Sequence, residues 1–241
     1  MGGKIDMPVL GSLFRASEGA PGTAEHFLDF ARTAGAEDFP CVFAPQAFRR
    51  DELLFGHGDV RGPHAVVHLM DLAVDAIAAN PDQVVVLWLD GIESDSLDED
   101  CATARELLLT LLREGGAWPS DAPTDPKDPN WNFWYRGIDF FINISTRHHV
   151  RRRSRNLGKC FTLVVQSRAS FDRLPRRAAA ARTTIRERLV EYDGVPPSPH
   201  LGTHGEAPEL PQFSLGDTNT CPYLPMTGED LDNEQERNEP T

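Results

Sequence analysis

No two of the four cysteines in this 241-residue chain stand at Cys-x-x-Cys spacing; Cys41, Cys101, Cys160 and Cys221 are scattered. That runs against a zinc centre built from cysteine pairs, and free thiols are the default in a chain without an export signal. No apolar run approaches the roughly 20 residues that a membrane span needs. The opening stretch MGGKIDMPVLGSLFRASEGAPG has no basic start followed by a long apolar core. No signal peptide is read from it, and a soluble cytoplasmic protein is expected. His-Glu-x-x-His and Gly-x-Ser-x-Gly are absent, and GHGDVRG lacks the spacing of a phosphate loop. Two-histidine zinc hydrolases, serine-hydrolase elbows and P-loop nucleotide binding thereby lose their sequence support. No internal repeat is visible.

What is present is an ordinary globular composition, 40% hydrophobic and 25% charged, with an uneven charge distribution. The chain has a net charge of −13, yet residues 147–188 hold thirteen Lys and Arg against only Asp172 and Glu187. Such asymmetry implies an anion-binding surface, or a basic segment neutralised by acidic neighbours in the fold. Apolar spacing predicts helices over 23–37, 62–80, 98–116 and 178–193. The runs 83–90, 138–145 and 160–168 read as buried strands. Val42 and Phe43 read as a short strand or a tight turn. The connection between the last two strands suits a long hairpin loop or a short helical crossover. Together these features predict a single α+β domain with a mixed or antiparallel sheet flanked by helices. Residues 1–22 are expected to be mobile, 23–225 to form the domain, and the acidic stretch 226–241 to be a disordered tail.

The basic block is NISTRHHVRRRSRNLGKCF, residues 143–161, in which five arginines surround His148 and His149. A solvated charged loop is the plainest explanation. Nucleic-acid binding is opposed by the acidic chain and by the lack of a basic stripe with interleaved aromatics. A third reading is recognition of a small anion by planar guanidinium forks. Arg151, Arg152, Arg153 and Arg155 cannot all face one pocket, so two of them should face solvent or pair with acidic residues. Adjacent histidines in an extended segment point opposite ways, so at most one of the pair would serve a given metal. Cys41, in FPCVFAP, is either a small buried hydrophobe or a thiolate ligand to haem iron.

The order FPC, WP, DFFINISTRHHVRRRSRNLGKCFTLVVQSRASFD, IRERLVEYDGVPPSPHLGTHG and QFSLGDTNTCPY resembles the YqcI/YcgG-like family of bacterial proteins over roughly residues 39–223, most densely over 139–172. Members with assigned activities are haem-dependent N-hydroxylases acting on guanidino or amino nitrogens of arginine-like molecules. The resemblance therefore implies protohaem (haem b), O2, an electron donor still to be identified, and a small cationic substrate. From charge and hydropathy, no nucleic-acid or membrane partner is expected. Carried over by position, Cys41 matches the Phe-Pro-Cys of the family and His149 the histidine after Asn-x-Ser-Thr. Arg152, Arg153, Ser154, Arg155 and Asn156 match its basic block, Arg168, Phe171 and Asp172 its later element, and Gln212, Asp217, Asn219 and Cys221 its C-terminal part. Arg147 and His204 depart from it, standing where proline and tyrosine are common.

Haem needs an axial ligand, an apolar slot and cations for two propionates. Cys41 or His149 can ligate the iron, and thiolate chemistry favours Cys41, with His149 as rival or distal group. Phe39, Phe43, Trp131, Phe140 and Phe141 can wall the slot, and Arg152, Arg153 and Arg155 can hold the propionates. A cationic substrate asks for a carboxylate, with Asp90, Asp139 and Asp217 as candidates. A non-catalytic haem-binding or haem-sensing protein and a non-haem anion-binding module remain alternatives.

Overall fold

The computed structural model describes residues 11–60, 63–172 and 175–219. Cys221, the stretch 226–241 and the first ten residues lie outside these. So do the side chains of Phe171 and Asp172.

Among the described residues five strands form one sheet: β1 (Leu54–Asp59), β2 (Val84–Asp90), β3 (Phe133–Tyr135), β4 (Ile138–Ser145) and β5 (Phe161–Ser167). Their spatial order is β1-β2-β5-β4-β3. Only β1 and β2 run parallel, with Phe55 opposite Val86 and Asp59 opposite Asp90. The other neighbours are antiparallel. The 15-residue connection from β4 to β5 is thus a long hairpin loop, the first of the two expected possibilities, and it carries a 3-10 turn at Arg153–Arg155.

Among the described residues six helices flank the sheet: α1 (Ala24–Arg32), α2 (Ala44–Arg49), α3 (Pro63–Ala79), α4 (Leu97–Glu114), the single turn α5 (Ala169–Asp172) and α6 (Pro175–Asp193). Strand β2 is apolar from Val84 to Leu89 because both its faces are buried. Val85, Leu87 and Leu89 pack with Leu69, Met70 and Leu108 of α3 and α4. Val86 and Trp88 face Phe30, Phe39 and Phe55 on the opposite side. The acidic start of α4 is capped by Ser96, whose Oγ accepts from the Glu99 backbone N–H at 3.2 Å. Val42 and Phe43 lie in a bend, and the strand alternative gives way to α2, whose Pro45 sits in its first turn. Phe14, inside the stretch expected to be mobile, is buried and its backbone pairs with Phe55. No helix among the described residues is long and apolar enough to cross a membrane.

The chain is therefore an α+β domain with a mixed sheet between helices. The face of β4 turned away from α3 and α4, together with α6 and the segment 201–215, encloses the cleft described next.

Candidate functional site

The hairpin loop between β4 and β5 is tied down by the segment 212–219 and by the end of α6. Asp217 accepts the backbone N–H groups of Arg151 and Arg152, each at 2.8 Å from Oδ1. Asp193 accepts the Ser154 N–H at 2.7 Å and its hydroxyl at 2.8 Å. These carboxylates supply the acceptors that backbone groups in an irregular loop require. They also fix where the guanidiniums point. Arg151 and Arg153 are exposed, and Arg153 stacks on Tyr192 with its guanidinium carbon 4.6 Å from the ring centre. Arg152 and Arg155 are buried.

The two buried guanidiniums bond mainly to carbonyls. Arg152 donates to the Gly216 oxygen at 2.9 Å and to Asn219 Oδ1 at 2.8 Å. Arg155 donates to the Gln212 oxygen at 2.9 Å and the Phe213 oxygen at 3.2 Å. Burial, and then the neighbouring charge of Arg152, pull the Arg155 pKa down to about 10. Among the described residues neither guanidinium has a carboxylate within ion-pair distance; Asp193 and Asp217 act on Arg152, and Asp193 on Arg155, at longer range.

The adjacent histidines do point opposite ways. His148 Nδ1 lies 2.8 Å from the buried Asp100 carboxylate. His149 is 1% exposed. Its Nε2 donates to the Leu215 carbonyl at 2.7 Å, and its Nδ1 accepts from the Thr146 hydroxyl at 3.1 Å. A carbonyl can only accept, so the proton resides on Nε2. Burial holds the His149 pKa below the usual imidazole range, partly offset by the Leu215 bond.

Beside this loop is a cavity of about 150 Å³ lined by Phe39, Cys41, Asn143, Arg152, Arg155 and Leu189, among others. Cys41 sits just before α2 and is partly exposed. Burial raises the thiol pKa, and the neighbouring backbone N–H groups of Phe43 and Ala44 oppose the rise. A second cavity of about 160 Å³ shares the walls Ile185, Leu189 and Leu201 and continues past Phe141 to Arg168, Gln212 and Glu209. At this far end Arg168 Nη1 donates to Glu209 Oε1 at 2.8 Å, the two side chains being 9% and 2% exposed. Each cavity alone is smaller than the roughly 300–1,000 Å³ typical of small-molecule sites, and the two meet at Ile185, Leu189 and Leu201.

The structure thus brings Cys41, Arg152 and Arg155 to one cleft, with His149 behind the loop that forms its wall. Arg153 faces outward. Of the aromatic residues expected to wall a slot, Phe39 and Phe141 do so. Phe140 and Trp131 are instead buried in the core under α3 and α4, and Phe43 is exposed. None of the three candidate aspartates lines the cleft. Asp217 is the loop anchor, and Asp139 lies at the start of β4, its backbone carbonyl accepting from the Arg168 N–H at 2.9 Å. Asp90 ends β2 among His26, His57 and Cys160, a grouping of His, Asp and Cys ligand atoms of metal-binding type. Glu209 was not singled out from the sequence, because it lies in a proline-broken loop without periodicity. Its stretch, EAPELPQF, gives no signal that separates Glu209 from Glu206 three residues earlier.

The chain is 31% identical over 217 residues, 82% of each chain, to "Putative N(omega)-hydroxy-L-arginine synthase DcsA" of Streptomyces lavendulae. It is 31% identical to "Uncharacterized protein YqcI" of Bacillus subtilis (strain 168) over 78% of this chain and 81% of that protein. To "Uncharacterized protein YcgG" of the same organism it is 32% identical over 80% and 84%. No solved structure matches. The model of the YqcI/YcgG family matches residues 30–226, and the chain belongs to that family.

Proposed function

We propose that this protein is a haem-dependent N-hydroxylase that oxidises a guanidino or amino nitrogen of a small arginine-like metabolite with O2. The relative whose name specifies an N(omega)-hydroxy-L-arginine synthase supports the reaction class. The observation that carries the reading to this chain is the cleft itself. The Cys41 thiol shares an apolar-walled cavity with two buried guanidiniums, Arg152 and Arg155.

The residues fit an iron porphyrin chemically. The backbone N–H groups of Phe43 and Ala44 favour the thiolate, the form that ligates a metal, against a burial that on its own raises the thiol pKa. Arg152 and Arg155 would hold the propionates, carboxylates being the partners their forks match. Phe39, Leu189, Leu201 and Leu215 supply apolar walls. His149 fits ligation less well than Cys41, because its Nε2 is engaged by Leu215 and its Nδ1 by Thr146. Its part is to hold the 212–219 segment against the loop. When bound, haem supplies the activation of O2, with electrons from a separate donor. At the far end Glu209, oriented by Arg168, offers a carboxylate to the substrate cation, and Arg168 and Arg186 offer donors to a substrate carboxylate.

The test is reconstitution with hemin followed by reduction under CO. A red-shifted band of the thiolate class, lost in Cys41→Ser, supports the assignment, as does O2-dependent hydroxylation of L-arginine or a close analogue. A Soret band without turnover of any guanidine or amine would leave a haem-binding protein and remove the hydroxylase. A colourless protein would leave an anion-binding cleft.

A further inference from the structure

A second centre lies at the carboxyl ends of the parallel strands, on residues the cleft does not use. His26 comes from α1, His57 from β1, Asp90 from the end of β2, and Cys160 from the residue before β5. The sheet register brings them together, since Asp59 pairs with Asp90 and Leu89 with Phe161. His26 Nε2 lies 3.3 Å from Asp90 Oδ2, and Cys160 Sγ lies 3.2 Å from Asp90 Oδ1. The His26, Asp90 and Cys160 ligand atoms all fall within 4.8 Å of one another.

We propose that His26, Asp90 and Cys160 bind one divalent transition metal of the zinc class, with His57 positioning the Asp90 carboxylate. Metal bonds of about 2.0 Å to nitrogen and oxygen and about 2.3 Å to sulfur place tetrahedral ligand atoms about 3.3–3.5 Å apart. The His26 separation from Asp90 Oδ2 meets the nitrogen–oxygen spacing, and Cys160 lies slightly inside the sulfur–oxygen spacing from the other carboxylate oxygen, Oδ1, so a small rotation of the Asp90 carboxylate would bring both onto one metal. The contact of His57 Nε2 with Asp90 Oδ2, at 2.6 Å, is too short for two ligands on one metal and is a hydrogen bond. Such a bond to a ligating carboxylate is the usual outer support of a metal site. The Trp88 ring, 5.3 Å from that of His26, limits its rotation.

The donor types favour a metal over a plain hydrogen-bond cluster. A thiol is a weak donor, so satisfying a carboxylate does not call for Cys160, whereas an N, O, S set suits zinc-class metals. The side chains of His26 and Asp90 are 13% and 43% exposed. The centre is therefore walled on the imidazole side and open on the carboxylate side, leaving a fourth position for water or another small ligand.

Cobalt(II) is the probe. Titrated into the purified full-length chain, it should bind one ion per chain, with a sulfur-to-cobalt charge-transfer band and the intense visible bands of tetrahedral geometry. Cys160→Ser should abolish the charge-transfer band. His57→Gln should weaken zinc binding about 10–100-fold, and Cys41→Ser should leave the cobalt spectrum unchanged. X-ray absorption on the zinc-loaded wild type should show one sulfur among lighter ligands, a readout independent of whether any variant folds. The proposal is overturned if cobalt binds without a sulfur band or not at all. It is also overturned if Cys41→Ser rather than Cys160→Ser removes that band, or if hemin binding depends on His26 and not on Cys41.

Discussion

His149 shows how one residue can be legible in a sequence while its role is not. Its place between strands marked it as special, but the partners that occupy both ring nitrogens lie three residues upstream and 66 residues downstream. Its depressed pKa has a consequence for stability. The folded state keeps the imidazole neutral while the unfolded chain takes up a proton near pH 6.5. Stability should therefore be full above that pH and fall as pH drops through it, until the folded imidazole is itself protonated. Denaturant melts at pH 8 and at pH 5.5 on the wild type and on His149→Ala would check this. The substitution should cost roughly 2–4 kcal/mol at pH 8, from a cavity and an unmet Leu215 carbonyl, and should flatten the pH dependence. Arg155→Met is the companion case. It removes a like charge beside Arg152 but strips two buried carbonyls of their donor, for a net loss of about 1–3 kcal/mol. Hemin affinity should fall further than that loss of stability explains.

Among the elements, legibility followed burial. Strands β2, β4 and β5 announce themselves because buried strands read as apolar runs. Strand β1, LFGHGD, carries two glycines and a histidine and gives no such signal. Its Gly56 is dictated by packing, since a Cβ there would meet Leu87 Cδ2 at 2.8 Å and Leu13 Cδ2 at 3.0 Å. Gly56→Ala should lower the unfolding midpoint by the equivalent of about 1–3 kcal/mol. Strand β3 is three residues long, and its hairpin turn puts Arg136 at φ 48° and Gly137 at φ 77°. Only the glycine betrays that turn in the sequence. The acidic start of α4 was legible, and its cap makes a quantitative check. Ser96→Ala should cost about 1 kcal/mol by removing the acceptor for the Glu99 N–H, measurable as a lower thermal midpoint.

At the scale of the whole molecule, the charge asymmetry takes a specific form. The excess of arginine is distributed between the surface and a cleft wall, and Asp193, Asp217 and Glu209 hold the basic segments in place. Both readings of that asymmetry, an anion surface and internal neutralisation, find residues to support them. The candidate cleft itself could not be read from spacing. Its walls come from residues 39–41, 143, 152–155, 185–189 and 201–215, which only the fold brings together. The Cys160 centre was hidden for the same reason, its donors being spread from residue 26 to residue 160.

The central claim is that the Cys41 cleft holds an iron porphyrin between a thiolate and two buried guanidiniums. Its most direct test is the absorption spectrum of the full chain, reconstituted with hemin, passed through gel filtration, reduced and exposed to CO. A retained, equimolar pigment with a thiolate-type CO spectrum, absent in Cys41→Ser, is the expected result. A folded protein that emerges colourless, or a CO spectrum unchanged by Cys41→Ser, would contradict it.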